Sequence, residues 1–185
     1  LFNDLLINTD KSTINADHFR LLPDTAGSFS RFIDEVRLDL KLNKSIVGSS
    51  DLKYFVQFLK GTDESAVVSG KITGTVSELK GRDVNLSYGD NTQIDCDFDF
   101  SGLPAIEDAF MYIGVNSLRT KAADFDKLEI PGKGKIKLPD ILYKLGNITF
   151  SGSFTGFISD FVTYGKLGSE NGSIKTDLSV RPDKN

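Results

Sequence analysis

Residues 69–79, SGKITGTVSEL, return as residues 151–161, SGSFTGFISDF, at an offset of 82. Ser69, Gly70, Thr73, Gly74 and Ser77 are matched by identical residues at Ser151, Gly152, Thr155, Gly156 and Ser159. Ile72/Phe154, Val76/Ile158, Leu79/Phe161 and Glu78/Asp160 are like for like. A looser echo, GSFSRFID, occupies Gly27–Asp34. Recurrence at a fixed spacing marks a chain built by stacking one supersecondary unit on the next. Repeat-like units are expected near 27–49, 66–118 and 147–181, within a single segment spanning 1–185.

The unit is a strand. Val36, Leu38, Leu40 and Leu42 alternate with polar residues, as do Ile94, Cys96, Phe98 and Phe100 with Asp95, Asp97 and Asp99. Val84-Asn-Leu86-Ser-Tyr88 and Ile174-Lys-Thr-Asp-Leu178-Ser-Val180 follow the same period of two. Strands with one wet and one dry side belong to antiparallel sheets. The expected fold is therefore mainly β: a strongly curved antiparallel sheet or open β-trough with two or three short helices. The helices are expected at 50–59, 121–128 and 139–145, each with an Asp ahead of apolar residues (Asp51, Asp124, Asp140). None is long enough to be stable alone, so Leu52, Phe55, Phe125 and Ile141 are expected to turn inwards over an end of the apolar face.

The chain's 14 Phe stand against 5 Tyr and no Trp. Phe brings apolar area without a polar handle and suits surfaces facing hydrocarbon or a dry core. A net charge of −4 argues against a nucleic-acid partner, which requires a basic stripe. One Cys and one His exclude a disulfide framework and a Cys/His metal cage within these residues. No apolar run approaches a membrane-spanning length of roughly 18 residues. A chain starting at Leu1 is read as an internal portion of a longer protein.

Catalytic chemistry finds little support. His18 has no partner His or Cys and is read as structural or surface. Ser69 and Ser151 lack the Gly-x-Ser-x-Gly elbow of hydrolases; the glycines beside them are expected at bends of the sheet. Asp95 and Asp99 on one strand are about 13 Å apart, too far to share a Ca²⁺ ion. The expectation is a non-enzymatic chain with no catalytic or metal site and no cofactor.

Leu79–Val115, LKGRDVNLSYGDNTQIDCDFDFSGLPAIEDAFMYIGV, runs from a strand ending Tyr-Gly-Asp to one ending Ser-Gly-Leu-Pro and then to an acidic and apolar strand. Together with Gly152–Asp177, GSFTGFISDFVTYGKLGSENGSIKTD, this order resembles the TamB family of the AsmA-like superfamily, in its Bacteroidota form. The likeness covers residues 50–181 well and the first 50 only in character. SGLP and SGxFTGF are short motifs, and their order carries the resemblance. The resemblance implies a periplasmic protein anchored in the inner membrane and reaching towards the outer membrane. It implies a trough with a greasy inside, phospholipid movement between the membranes and help with outer-membrane biogenesis. An outer-membrane assembly-type barrel protein is the implied partner, through other parts of the parent. The short helices depart from the family's pure repeated-strand pattern.

The apolar face has two readings. One is the closed core of a β-sandwich scaffold or interaction module, aiding outer-membrane protein assembly or secretion. The other is a groove sheltering phospholipid acyl chains, with candidates Val36, Leu38, Leu40, Leu42, Ile72, Val76, Val84, Leu86, Ile94, Phe98, Phe100, Phe154, Ile158 and Leu178. Each buried CH₂ contributes about 0.8 kcal/mol, so a 16-carbon chain gains on the order of 10 kcal/mol before entropic costs.

Overall fold

The structure, a computed structural model, describes residues 2–52, 64–126, 129–130, 134–135 and 138–181. Ten strands form one antiparallel sheet: β1 (Phe2–Asn8), β2 (Thr13–Pro23), β3 (Val36–Gly48), β4 (Ser65–Gly74), β5 (Glu78–Tyr88), β6 (Thr92–Ser101), β7 (Phe110–Thr120), β10 (Ile148–Gly156), β11 (Phe161–Ser169) and β12 (Gly172–Val180). Two short strands, β8 (Glu129–Ile130) and β9 (Gly134–Lys135), pair by themselves. The large sheet follows chain order from β1 to β12, and these two end strands are its edges, so it does not close into a barrel. The mainly β, open antiparallel architecture expected from the alternation is the one observed.

The up-and-down order sorts the connections onto two rims. Among the described residues one rim carries 24–35, 75–77, 102–109 and 157–160; the other carries 9–12, 49–52, 89–91, 121–126, 138–147 and 170–171. The expected helix at 50–59 appears among the described residues as α2 (Ser49–Leu52), and the rest of that span, with Phe55, lies outside them. The segment expected at 121–128 is a 3-10 turn over Ala122–Phe125, and that at 139–145 is α3 (Asp140–Tyr143). Phe125 is half-buried, but Ile141 is 61% exposed and is not turned inwards. The described parts of all three segments sit on the second rim. The Gly27–Asp34 echo is not a strand: a 3-10 turn over Ala26–Arg31 runs into α1 (Phe32–Glu35) on the first rim. There the Ile33 carbonyl accepts the Ser77 N–H at 3.1 Å.

The long repeat is structural. Both copies are the end of one strand, a tight turn and the start of the next, in the β4–β5 and β10–β11 hairpins. Gly74 faces Leu79 as Gly156 faces Phe161. Gly74 and Gly156 have φ of 100° and 133°. A Cβ on Gly74 would lie 2.0 Å from the Glu78 carbonyl oxygen, and one on Gly156 would lie 2.3 Å from that of Asp160. Only glycine fits a backbone approach this close. Gly70 and Gly152 likewise both sit beside register shifts in their ladders.

The connection after β7 is fixed by one buried carboxylate. Asp124 accepts hydrogen bonds from Thr92 Oγ1 at 2.7 Å, Asn91 Nδ2 at 3.0 Å and the Asn91 backbone N–H at 2.9 Å. Burial pushes its carboxyl up, but these bonds outweigh that and hold it below the ordinary 3.8. A folded pKa below the unfolded one stabilises the fold fully above the unfolded value, and the gain disappears as pH falls through the folded value.

Two outcomes are expected. Gly156→Ala should cost about 1–3 kcal/mol in urea denaturation, and more than Gly172→Ala, where φ is 142° but no atom lies within 4 Å of the added Cβ. Asp124→Asn should destabilise the protein by about 1–3 kcal/mol at neutral pH by stranding buried donors. That deficit should shrink in melts below about pH 4, where the native carboxylate loses its own contribution; a deficit independent of pH would contradict the assignment.

Candidate functional site

In an antiparallel ladder, residues directly opposite one another point to the same face. Following the pairs across the sheet gives a row from edge to edge: Phe2, Phe19, Leu40, Ile72, Gly81, Phe98, Ile113, Phe154, Thr163 and Leu178. A second row runs through Leu21, Leu38, Gly74, Leu79, Phe100, Met111, Gly156, Phe161 and Val180. A third, nearer the other rim, joins Val68, Leu86, Ile94, Leu118, Phe150, Leu167 and Ile174. These rows carry no charged side chain. The opposite face holds Arg20, Asp39, Lys71, Lys80, Asp99 and their neighbours in the same ladders.

Every strand-borne candidate therefore lies on one face: Val36, Leu38, Leu40, Leu42, Ile72, Val84, Leu86, Ile94, Phe98, Phe100, Phe154 and Leu178. Val76 and Ile158 do not. They sit in the β4–β5 and β10–β11 turns, and Ile158 is 52% exposed. Val36 (0% exposed) and Val84 are packed away and present no surface to a ligand. Leu38, Leu40, Ile72, Phe98 and Phe154 are half-buried, and Leu178 on the edge strand is 48% exposed. A sandwich interior would close over such large side chains; here they stay open.

The face is smoothed by aromatic rings lying over glycines. A Cβ on Gly81 would come 2.3 Å from the Phe98 ring, and one on Gly165 would come 2.7 Å from the Phe150 ring. Each ring thus lies down across the neighbouring strand in the space a side chain would take. Phe98 stacks on Phe100 with centroids 4.5 Å apart, and Phe154 meets Phe161 at 4.7 Å.

A line of irregularities crosses the sheet's middle. β3 carries an extra residue between Leu42 and Ser45, β5 between Gly81 and Val84, and β7 between Val115 and Leu118. Such bulges kink strands and sharpen twist. The row beside them is small, with Ala16, Val84 and Cys96 buried and Gly70 and Gly152 half-buried. Burial, aided by the nearby Asp95 and Asp97, pushes the Cys96 thiol up, away from reactive thiolate chemistry.

Polar side chains clip the bulges from the other face, and the alternation did not announce this. Asp97 accepts the N–H of Asp83, a bulge residue with φ of 52°, at 2.8 Å. Asp95 accepts from Asn116 Nδ2 at 2.9 Å, and Asp17 from Asn43 Nδ2 at 2.6 Å. Arg82 Nη2 donates to both carboxylate oxygens of Asp99, at 2.8 and 3.1 Å. Asp95, Asp97 and Asp99, the three aspartates of β6, are each held by a neighbouring strand. The one signal was the break in parity itself, Gly81-x-x-Val84 and Val115-x-x-Leu118. His18 lies on this polar face, its Nε2 3.1 Å from Asp39. Among the described residues no group of His, Cys, Asp and Glu is arranged to hold a metal ion, and no helix is long and apolar enough to cross a membrane.

Comparison with protein-family models, with curated proteins and with solved structures finds no match to this chain.

Asp97→Ala should lower stability by about 1 kcal/mol in chemical denaturation by releasing the β5 bulge. Lys80→Ala, exposed on the same polar face, should stay within about 0.5 kcal/mol of the parent. Equal effects at the two positions would remove Asp97 from the bulge's support.

Proposed function

We propose that this chain is a non-enzymatic stretch of a TamB/AsmA-like periplasmic protein whose open apolar face shelters phospholipid acyl chains in transit between membranes. One observation carries the reading: rows of half-buried aliphatic and aromatic side chains cross the sheet without a charged residue, and they stay open rather than closed into a core. Contact with hydrocarbon is non-directional and grows with apolar area removed from water. A surface smoothed by rings over glycines offers that area across neighbouring strands. A charge on this face would have to be desolvated without a partner, and the ladder keeps every one in these rows on the other side. The order of motifs in Leu79–Val115 and Gly152–Asp177 supports the same family reading. In that reading the parent is anchored in the inner membrane, extends towards the outer membrane and meets an assembly-type barrel protein through other parts.

Photocrosslinking separates this from a scaffold that binds only proteins. A photoreactive residue at Phe98 or Phe154 should give phospholipid adducts in cells, and one at Lys80 on the polar face should not. Protein adducts alone from positions 98 and 154, or equal lipid labelling at position 80, would refute the lipid role. Position 97 is a poor control because its carboxylate supports the Asp83 bulge.

A further inference from the structure

The polar wall of the sheet holds a feature that acyl-chain sheltering does not use. A cleft of about 540 Å³ opens between β6, β7, β10 and β11, lined by Gln93, Ser117, Arg119, Thr149, Ser151 and Lys166 among others. Two local departures from a regular sheet make room for it. The extra residue in β7 shifts the register between Phe150 and Gly152, and a bulge interrupts the ladder where it occurs. Gly168 forms part of the lining, and a Cβ there would lie 2.5 Å from Thr149 Oγ1.

The cleft's chemistry is that of an oxyanion receptor. In ladder terms Gln93 faces Arg119, Arg119 faces Thr149 and Thr149 faces Gly168, while Ser151 faces Lys166 and Lys166 faces Lys175. Arg119 and Lys166 therefore project from strands flanking β10 on the same face, with Thr149 and Ser151 between them. Neither cation makes an ion pair among the described residues, although Arg20, Arg31, Arg37, Lys41 and Arg82 all do. On the same face Asp95 accepts a hydrogen bond from Asn116, Glu170 accepts from the backbone and side chain of Asn147, and Asp177 stands one diagonal position from Lys166 on β12.

We infer that this cleft binds a phosphate ester of a small polar alcohol, with Arg119 and Lys166 holding the phosphate and Ser117, Thr149 and Ser151 supplying hydroxyl donors. The guanidinium fork matches two phosphate oxygens at once, and the lysine adds a compact point charge. The volume exceeds what a bare phosphate fills and falls within the range of small-ligand sites, leaving room for the alcohol beside Gln93. A soluble ester and a phospholipid headgroup share this chemistry. The site stands independently of whether the opposite face carries acyl chains.

Titration of the isotope-labelled protein followed by amide NMR tests it, with glycerol 3-phosphate, glycerol and dihexanoylphosphatidylglycerol below its micelle concentration as probes. Glycerol 3-phosphate should give saturable shifts at residues 117–119, 149–151 and 166–168, and glycerol should give none. The double variant Arg119→Gln, Lys166→Gln, both exposed and remote from the buried rows, should keep the parent's spectrum elsewhere and bind at least about tenfold more weakly. Linear, non-saturating shifts, or affinity unchanged in the folded double variant, would overturn the site. With the site established, tighter binding of the dihexanoyl lipid at the same amides assigns it to a headgroup, and tighter binding of glycerol 3-phosphate assigns it to a soluble ester.

Discussion

Parity governs this protein. In an antiparallel ladder every residue's face is fixed by its place along the strand, and a slip of one residue exchanges the two faces. Ten consecutive strands keep one face free of charge along their shared rows only because their registers agree from β1 to β12. Where β3, β5 and β7 take an extra residue, the sequence skips a beat at the same place: Leu42-x-x-Ser45, Gly81-x-x-Val84 and Val115-x-x-Leu118. Apolar side chains therefore return to the same face beyond each bulge. The aspartates and asparagines on the opposite face hold the skipped residues in place, so the polar wall maintains the geometry of the apolar one.

Size complementarity follows from the same ladder. Glycines at positions 81 and 165 leave gaps that the Phe98 and Phe150 rings cover, and glycines at 74 and 156 let hairpin partners approach too closely for any side chain. Cross-strand pairs of this kind contribute about 0.2–1 kcal/mol each. A single layer cannot draw on the second packed face that stabilises a sandwich. Its hold comes from continuous ladders, rim connections such as the Asp124 knot, and ion pairs on the wet side such as Arg82–Asp99. Leaving the apolar face open sacrifices burial energy, and that sacrifice is what makes the face available for a ligand.

Much of the architecture was legible in the residues. Alternation placed β3, β5, β6 and β12, and the 82-residue recurrence marked two equivalent hairpins. The failures share a cause. Val76 and Ile158 continue the beat of Ile72 and Phe154, but a period of two does not state where a strand stops, and both fall in turns. Gly27–Asp34 resembles the hairpin segment in letters yet coils into helical turns, since so short a stretch takes its conformation from its surroundings. The Arg119–Lys166 cleft was invisible because its residues come from separate strands, joined only by register.

The sequence alone determined which side chains of one strand would share a face, because alternation depends on local backbone geometry. Whether the apolar face would close on a second layer or stay open was decided by tertiary structure. So were the rim that carries α2, the Ala122–Phe125 turn and α3, and the aspartates that serve as clips. Those outcomes depend on which distant strands become neighbours, and alternation within a single strand carries no information about that.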